Sequence, residues 1–320
     1  MDVRKLRELR GCPSGDAAAW QARYRPLVAE ELRHREVAAP RVSAIVVAYR
    51  SADRVIGCLE HLRAQRGLGE GALEVILLDN GGLEAARGAF PGLVDVEVRM
   101  KKNVGLCPAR NMGAALAKAP IISFIDDDGL IAADYYQNAL RHLVDPSIVA
   151  LRSRIQWKEH RYFTSLATHY DRGEQVLDDC LVTEGSSVLK RDTYFALGGF
   201  GDKLSPYEGL DFSFRLRTEL PDSRIVYAPD VIMRHDYCDS WKKLFKKSLS
   251  YTSSMQLADE GGSEVADFLR DYGARRYPKA NYRFDERIAR ALLGAVKDTL
   301  RFYGNVTGRK ASYIPISAKG

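Results

Sequence analysis

The strongest constraint on the fold is a regular alternation of short apolar and amphipathic segments between Val42 and Asp126. Val42–Ala48 and Leu73–Leu78 are predominantly apolar runs of the length typical of buried parallel strands. Between them, Arg54–Gln65 carries apolar residues at helical spacing. Because parallel strands need a crossover helix, this alternation predicts an α/β fold with a doubly wound, mainly parallel sheet and right-handed connections.

The alternation continues to Asp126 and then becomes mixed. The remaining predicted elements of the first half are helices over 83–90 and 108–118 and strands over 94–98 and 121–125. In the second half we expect strands over 148–152, 181–189 and 224–227, with helices near Arg191 and Leu210. Since no linker-like tract separates the halves, we predict one domain over 41–238, flanked by a helical N-terminal extension over 1–40 and a helical C-terminal region over 239–320.

Composition narrows the class of protein. The 320 residues are 46% hydrophobic and 28% charged, which is ordinary for a globular protein. A net charge of +6 and a pI near 9.0 favour anionic partners. The five cysteines are scattered and no run of about 20 apolar residues occurs, so we expect a protein of the cytoplasm that does not span a membrane.

Three consecutive aspartates, Asp126, Asp127 and Asp128, end the apolar run that begins at Ile121. Carboxylates at the carboxyl end of a buried strand lie where open α/β sheets bind ligands, and an Asp-x-Asp pair suits Mg²⁺ or Mn²⁺ carrying substrate phosphates. The alternative is a solvated turn in which one aspartate caps a helix starting near Ala132. This segment alone does not separate the two interpretations.

Several motifs, taken in order, resemble the inverting family 2 glycosyltransferases of the GT-A fold. The resemblance covers roughly residues 42–236. The matching segments are Ala44–Ser51, Glu74–Asn80, Asn103–Leu106 with Ala109–Asn111, Phe124–Asp128, Leu197–Phe200, Tyr207–Phe212 and His235. The ordered set is far more specific than any one of its members.

The resemblance implies a nucleotide-sugar site at the ends of the first strands. Asp79 would accept the imino proton of uracil or thymine, although in isolation an aspartate in Asp-Asn-Gly-Gly is a turn residue. Arg110 would pair with phosphate oxygens, whereas a surface arginine without a partner is the usual alternative. The complete expected set is Ala48, Tyr49, Arg50, Asp79, Asn103, Arg110, Asn111, Asp126 and Asp127.

The same resemblance implies a DXD-type metal site for Mn²⁺ or Mg²⁺. Asp128 would hold the cation that bridges the two phosphates, Asp126 would contact ribose or metal, and His235 would add a further ligand. Asp127 should point away from Asp126 and Asp128, because neighbouring residues of an extended chain alternate in direction. A lone histidine is more often structural, which is the alternative for His235.

The chain departs from the family at the general base. Relatives carry Glu-Asp at the start of the acceptor-side helix, and the second carboxylate is their base, but here the pair is Glu208-Gly209. The remaining candidates are Glu208 and Asp211. Asp211 lies four residues before Arg215, a spacing suited to an ion pair, so we favour Glu208. The alternative is a degenerate relative that binds a nucleotide sugar or a partner without turnover.

The expected partners are a nucleotide sugar, by resemblance of the uridine or thymidine series, and an acceptor hydroxyl of a glycan, lipid-linked or other molecule, with no nucleic acid. A nicotinamide dehydrogenase is disfavoured because Gly-x-Gly-x-x-Gly does not follow the first strand. Beyond His235, Trp241–Tyr251 and Ile288–Tyr303 form basic amphipathic patterns. We expect both to pack on the domain, with peripheral contact of Trp241–Tyr251 at the inner membrane face as the alternative.

Overall fold

The protein was analysed as a computed structural model that describes residues 3–204, 207–250, 254–275 and 282–307. The strands are β1 Val28–Arg33, β2 Val42–Ala48, β3 Leu73–Asp79, β4 Val96–Met100, β5 Ile121–Asp126, β6 Leu130–Ile131, β7 Ile148–Gln156, β8 Leu177–Asp178, β9 Ser186–Lys190 and β10 Arg224–Arg234. The α-helices are α1 Val3–Arg10, α2 Ala17–Tyr24, α3 Val55–Arg63, α4 Phe90–Leu93, α5 Leu106–Leu116, α6 Tyr135–His142, α7 Arg161–Thr164, α8 Arg191–Ala196, α9 Glu208–Glu219, α10 Trp241–Ser250, α11 Ser254–Ala274 and α12 Phe284–Thr307. Short 3₁₀ turns cover Arg25–Leu27 and Glu84–Ala89.

The strands form one ten-stranded sheet in the order β1-β4-β3-β2-β5-β9-β7-β10-β6, with β8 paired to β10. The run β4-β3-β2-β5 is parallel throughout. Strand β9 then pairs antiparallel with both β5 and β7, while β7 and β10 are parallel. This arrangement confirms the predicted α/β class, with a parallel first half and a mixed second half.

The parallel strands are buried on both faces of the sheet. Along β2, Val42, Ala44 and Val46 pack into the layer that contains Leu59 of α3. Ile45 points the other way, into the layer that contains Met112 of α5. Since each face is covered by helices, most positions of these strands favour an apolar residue, and this explains why the strands are predominantly apolar in sequence.

Helix α5 approaches the sheet closely. A Cβ atom on Gly113 would lie 2.4 Å from Cγ2 of Ile45 and 2.9 Å from Cδ2 of Leu78, so a glycine is needed for this contact. The close approach fixes the axis of α5 over β2 and β3. As a consequence, the loop before α5 lies at the carboxyl ends of these strands, which is where the candidate site forms.

Three expectations about local structure need correction. The N-terminal extension is not wholly helical, because Val28–Arg33 forms the edge strand β1 antiparallel to β4. The strand expected over 181–189 begins only at Ser186, which leaves 179–185 irregular. The strand expected over 224–227 runs on to Arg234, because β7 and β6 both pair with its second half.

The predicted membrane-contact segment coincides with α10 up to Ser250, and its last residue, Tyr251, lies outside the described residues. Leu244 of α10 is buried, whereas Trp241 and Phe245 are exposed. Lys247 does not join the solvated lysine face, since its Nζ donates to the Tyr237 carbonyl oxygen and lies 4.2 Å from the Tyr237 ring centre. Across the described ranges, no helix combines the length and apolar character needed to cross a bilayer.

Candidate active site

The predicted site residues converge at the carboxyl ends of β2, β3 and β5. The parallel register places Ala48 beside Asp79 and Val47 beside Asp126, so three neighbouring strands end at one edge. Ala48 is buried, and its carbonyl oxygen accepts a hydrogen bond of 2.9 Å from the backbone of Asn80. The ends of adjacent strands are thereby tied together beneath the site.

Tyr49 and Arg50 follow β2 at the surface of this edge. Arg50 adopts a left-handed backbone conformation with φ of 53°, which is uncommon for a residue with a side chain. Its backbone N–H donates to the Gly81 carbonyl at 2.9 Å, and its guanidinium carbon lies 5.1 Å from the centre of the Tyr49 ring. A strained, stacked pair of this kind, held by the next loop, is typical of a ligand-binding edge.

Asp79 is buried and already has two partners. Its Oδ1 accepts from the Gly81 N–H at 2.9 Å, and its Oδ2 accepts from Nη2 of Arg87 at 2.9 Å. Each carboxylate oxygen has a further lone pair, so this geometry is compatible with an additional donor. Arg87 was not identified from sequence, because its partner lies eight residues away across a turn.

The loop before α5 is held by side-chain amides. Asn80 Nδ2 donates to Asn103 Oδ1 at 3.0 Å, and Asn80 Oδ1 accepts from the Val104 N–H at 2.9 Å. Asn103 Oδ1 also accepts from the Gly105 N–H at 2.9 Å. Asn103 therefore shapes the loop at the site edge.

The expectation that Asn111 contacts the nucleotide sugar is corrected by the structure. Its side chain is fully buried, and Nδ2 donates to the Phe200 carbonyl at 2.7 Å and to Asp202 at 3.0 Å. Its Oδ1 accepts from the Tyr194 hydroxyl at 2.7 Å. With these partners inside the core, Asn111 anchors α5 to the segment around Phe200.

The three aspartates have different environments. Asp127 accepts a hydrogen bond from the Ser51 hydroxyl. Burial, reinforced by the negative charges of Asp128 and Asp126, raises the pKa of Asp127 to about 6. Burial also acts to raise the pKa of Asp128, but His235 and Arg54 outweigh it and lower that pKa to about 2.

Asp128 and His235 form the part of the site best suited to a cation. The Nε2 atom of His235 lies 3.1 Å from Asp128 Oδ1, and its Nδ1 lies 3.1 Å from the Tyr170 hydroxyl. Burial lowers the pKa of His235, but Asp128 raises it by more, so the pKa ends above its usual value. Arg54, which sequence did not single out, lies 3.4 Å from Asp128.

The third predicted metal ligand, Asp126, lies to one side of this pair. Its Oδ1 accepts from Arg110 Nη2 at 3.2 Å, and its side chain is 38% exposed. Within the described part of the chain, no cluster of three or more His, Cys, Asp or Glu side chains is arranged to hold a metal ion. The expected triad of Asp126, Asp128 and His235 is therefore not preassembled, whereas Asp128 and His235 are adjacent.

Arg110 connects the aspartates to the acceptor-side helix. Its side chain is buried between the Phe124 and Phe200 rings, each 5.8 Å from the guanidinium carbon. Nη1 donates to Glu208 Oε1 at 3.0 Å. Burial raises the pKa of Glu208, although Arg110 acts in the opposite direction.

The second base candidate, Asp211, forms ion pairs with two buried arginines. Its carboxylate lies 2.9 Å from Arg215 and 3.4 Å from Arg10, with side-chain exposures of 2% or less throughout. The structural role favoured for Asp211 from its spacing agrees with these contacts. Glu208 is then the sequence-predicted candidate that reaches the cavity described next.

A carboxylate that sequence did not identify lies beside Glu208. Glu184 is half-buried, and its Oε1 accepts from the Gly209 N–H at 2.9 Å. Burial and the charge of Glu208 raise the pKa of Glu184 to about 8. Glu184 was missed because a continuous strand was expected over 181–189, where the structure has an irregular segment before β9.

Two cavities open next to these groups. The first, of about 190 Å³, is lined by Arg110, Asp126, Glu184 and Glu208 among others. The second, of about 470 Å³, includes four basic side chains in its lining, Arg154, Lys158, Arg161 and Arg234. Tyr170, which contacts His235, borders both cavities, so the aspartate edge and the basic cavity are contiguous.

Comparison with solved structures identifies the class of fold. The mannosyltransferase PcManGT from Pyrobaculum calidifontis, solved in complex with GDP-Man and Mn²⁺, superposes with a TM-score of 0.55 at 16% identity over 95% of each chain. TarS 1–349 from S. aureus, in complex with UDP-GlcNAc, gives a TM-score of 0.53 at 13% identity over 81% of each chain. The fold is that of the GT-A glycosyltransferases.

Comparison at the sequence level identifies the family. The profile of Glycosyl transferase family 2 matches residues 43–200, which include the strand ends and the three aspartates. The succinoglycan biosynthesis protein ExoO of Rhizobium meliloti (strain 1021) is 31% identical over 98 residues, spanning 30% of this chain and 27% of that protein. The family matched over residues 43–200 is the one that the sequence motifs predicted.

Proposed function

We propose that the protein transfers a sugar from a nucleotide-diphosphate sugar to an acceptor hydroxyl, with inversion at the anomeric carbon and a divalent cation. The observation that carries this proposal is the convergence of Asp79, Arg110 and the three aspartates on one edge of the sheet, with His235 beside them. The similarity to proteins solved with GDP-Man and UDP-GlcNAc supports a nucleotide-sugar donor.

The donor nucleotide is proposed to be UDP or dTDP. Asp79 is buried at the end of β3 and has lone pairs for the imino proton of a pyrimidine base. The Tyr49 ring and the Arg50 guanidinium stack at the adjacent strand end, which provides a flat surface for the base. Ser51, Arg54 and Arg110 each contact one of the three aspartates, and the diphosphate is proposed to lie beside them.

The side chains at the aspartate edge fit a hard divalent cation. Such ions take carboxylate and substrate phosphate oxygens, commonly with only one or two protein ligands, and Asp128 with His235 provides an adjacent pair. Both are held by further contacts, Asp128 by Arg54 and His235 by Tyr170. Bound Mn²⁺ or Mg²⁺ would offset the negative charge of the departing diphosphate.

The acceptor is proposed to enter through the cavity of about 470 Å³ that borders Tyr170. In an inverting transfer the acceptor oxygen attacks the anomeric carbon from the face opposite the diphosphate, and a general base removes the proton of the hydroxyl. Arg110, already paired with Asp126, contributes positive charge on the leaving-group side.

The proposal is tested by donor binding and by product analysis. Native protein is titrated with UDP-, dTDP- and GDP-sugars, with and without Mn²⁺, in a thermal-shift assay. A ligand at 100 times its Kd adds about 2.7 kcal/mol to the free energy of unfolding. The anomeric configuration of a transferred sugar, read by NMR, tests inversion. Equal shifts with every nucleotide, or retention of configuration, would contradict the proposal.

A second candidate function is a degenerate relative that binds the donor without turnover. Its support is Gly209, which stands where the family supplies the base. Donor binding without transfer or hydrolysis, measured with each donor that binds, would favour this alternative. Any metal-dependent turnover above a no-enzyme control would exclude it.

A further inference from the structure

Position 209 has no side chain, but the carboxylate of Glu184 lies in the space beside it. Gly209 is the second residue of α9, and Glu184 belongs to the irregular segment that precedes β9. The Glu184 carboxylate accepts a hydrogen bond from the Gly209 N–H at 2.9 Å. The two positions are 25 residues apart in sequence but adjacent in space.

Steric exclusion links the two positions. A Cβ atom on Gly209 would lie 2.4 Å from Glu184 Oε1 and 2.8 Å from Glu184 Cγ. It would also lie 1.8 Å from the Leu181 carbonyl oxygen, which a side chain cannot displace without moving backbone. Position 209 therefore has to be glycine in this conformation, and the Glu184 side chain fills the space that a residue at 209 would take.

Glu184 is also oriented toward the reaction site. It lines the cavity of about 190 Å³ together with Arg110, Asp126 and Glu208. The neighbouring Gly185 permits this approach, because a Cβ atom there would lie 1.8 Å from Asp126 Oδ1. The segment thus passes directly over Asp126 at the aspartate edge.

The two neighbouring carboxylates are not equivalent. Glu208 is 4% exposed and is held by Arg110 at 3.0 Å, so its charge is already paired. Glu184 is half-buried, and its contact with Gly209 is to a neutral N–H. A general base must reach the acceptor hydroxyl with a carboxylate that is not already held in an ion pair, and of the two Glu184 meets both conditions better.

We propose that Glu184 is the general base of the transfer reaction, in place of the carboxylate missing at position 209. The inference rests on the proposed function. The acceptor hydroxyl loses its proton to the Glu184 carboxylate as its oxygen forms the bond to the anomeric carbon. The bond from that carbon to the diphosphate oxygen breaks with both electrons on the diphosphate, and the proton on Glu184 later passes to water. Glu208 is a positioning residue that holds Arg110.

The decisive variant is Glu184→Gln, because glutamine keeps an acceptor for the Gly209 N–H but cannot take the proton. With the donor and acceptor that support native turnover, kcat should fall by about 10²–10⁴-fold. The Kd of that donor, measured by calorimetry with Mn²⁺, should stay within about twofold, because the proposed role of Glu184 is toward the acceptor hydroxyl and not toward the donor. Glu184→Asp retracts the carboxylate by one methylene, so its kcat should lie between those of the native protein and Glu184→Gln.

The matched control is Glu70→Gln, which makes the same chemical change at an exposed position and should leave kcat unchanged. Native kcat in Glu184→Gln would overturn the inference. So would a loss of donor affinity equal to the loss of kcat, or a loss of kcat in Glu208→Gln with none in Glu184→Gln. Failure of the proposed function is a different result, because native protein would then show no transfer with any donor that it binds.

Discussion

Replacing Asp211 by asparagine should destabilise the protein strongly, because it removes a buried carboxylate that forms ion pairs with both Arg215 and Arg10. The Arg215 and Asp211 side chains are 0% and 2% exposed, and Arg215 also donates to the Gly199 carbonyl at 2.8 Å. Removing one partner of such a pair leaves buried charge without compensation, which costs about 3–5 kcal/mol of the free energy of unfolding.

That free energy converts to a measurable shift in Tm. At about 2.1 cal/mol/K for each residue, a chain of 320 residues has an unfolding entropy of roughly 0.7 kcal/mol/K. The expected decrease in Tm for Asp211→Asn is therefore about 4–7 °C, measured by differential scanning calorimetry. Donor affinity at a temperature where both proteins are folded should change little, because the pair lies on the face of α9 that contacts α1.

The matched control is Asp239→Asn, which removes the ion pair of the same i,i+4 spacing between Asp239, just before α10, and Lys243 of α10. Its side chains, Lys243 and Asp239, are 50% and 43% exposed, so the pair should contribute below about 0.5 kcal/mol. The Tm should then change by less than about 1 °C. Similar shifts in the two variants would refute the reasoning, as would loss of transfer in Asp211→Asn with an unchanged Tm.

Three further predictions follow from the site. Asp128→Asn should abolish the Mn²⁺ dependence of nucleotide-sugar binding while leaving the circular dichroism spectrum unchanged; an unaltered Mn²⁺ titration would remove Asp128 from the metal site. Asp79→Ala should erase a preference for UDP and dTDP over GDP in competition binding, and equal competition by all nucleotides in the native protein would contradict the base-reading role. The pKa of Glu184 in the folded protein is raised to about 8, so the ionisation of this side chain makes folding less favourable as pH rises from about 4.5 to about 8. Glu184→Gln should therefore raise Tm at pH 8. A lower Tm at that pH would show that the native carboxylate is stabilising.

The elements best predicted from sequence are those whose residues are all governed by one physical requirement. The strand Val42–Ala48 was predicted with the bounds it has in the structure, because both faces are covered and every position except Ser43 is apolar. Helix α3 was predicted within two residues at each end for a similar reason, since its buried positions recur at helical spacing. Where the same burial requirement acts on every residue of an element, the local sequence pattern is sufficient to predict that element and its bounds.

The predictions that failed involve residues whose role depends on distant partners. Asn111 lies next to Arg110, yet it anchors the core through Phe200 and Tyr194, about 90 residues away. The edge strand Val28–Arg33 forms because β4 offers a free edge, and the alternating charges of this segment gave no sign of it. Such contacts are set by the tertiary fold, so neither periodicity nor a short motif reveals them.

The position of Glu184 bears directly on whether Gly209 signifies loss of activity. A protein that had simply lost its base would gain stability by placing an apolar or neutral side chain at 184, because burial and the nearby Glu208 both penalise the charged form there. The structure instead keeps an acidic side chain at this unfavourable place, in the volume that a side chain at 209 would occupy, facing the cavity that Arg110 and Asp126 line. Ionisable groups held at a cost to stability are concentrated in functional sites. The pairing of Gly209 with Glu184 therefore favours a relocated base over a lost one.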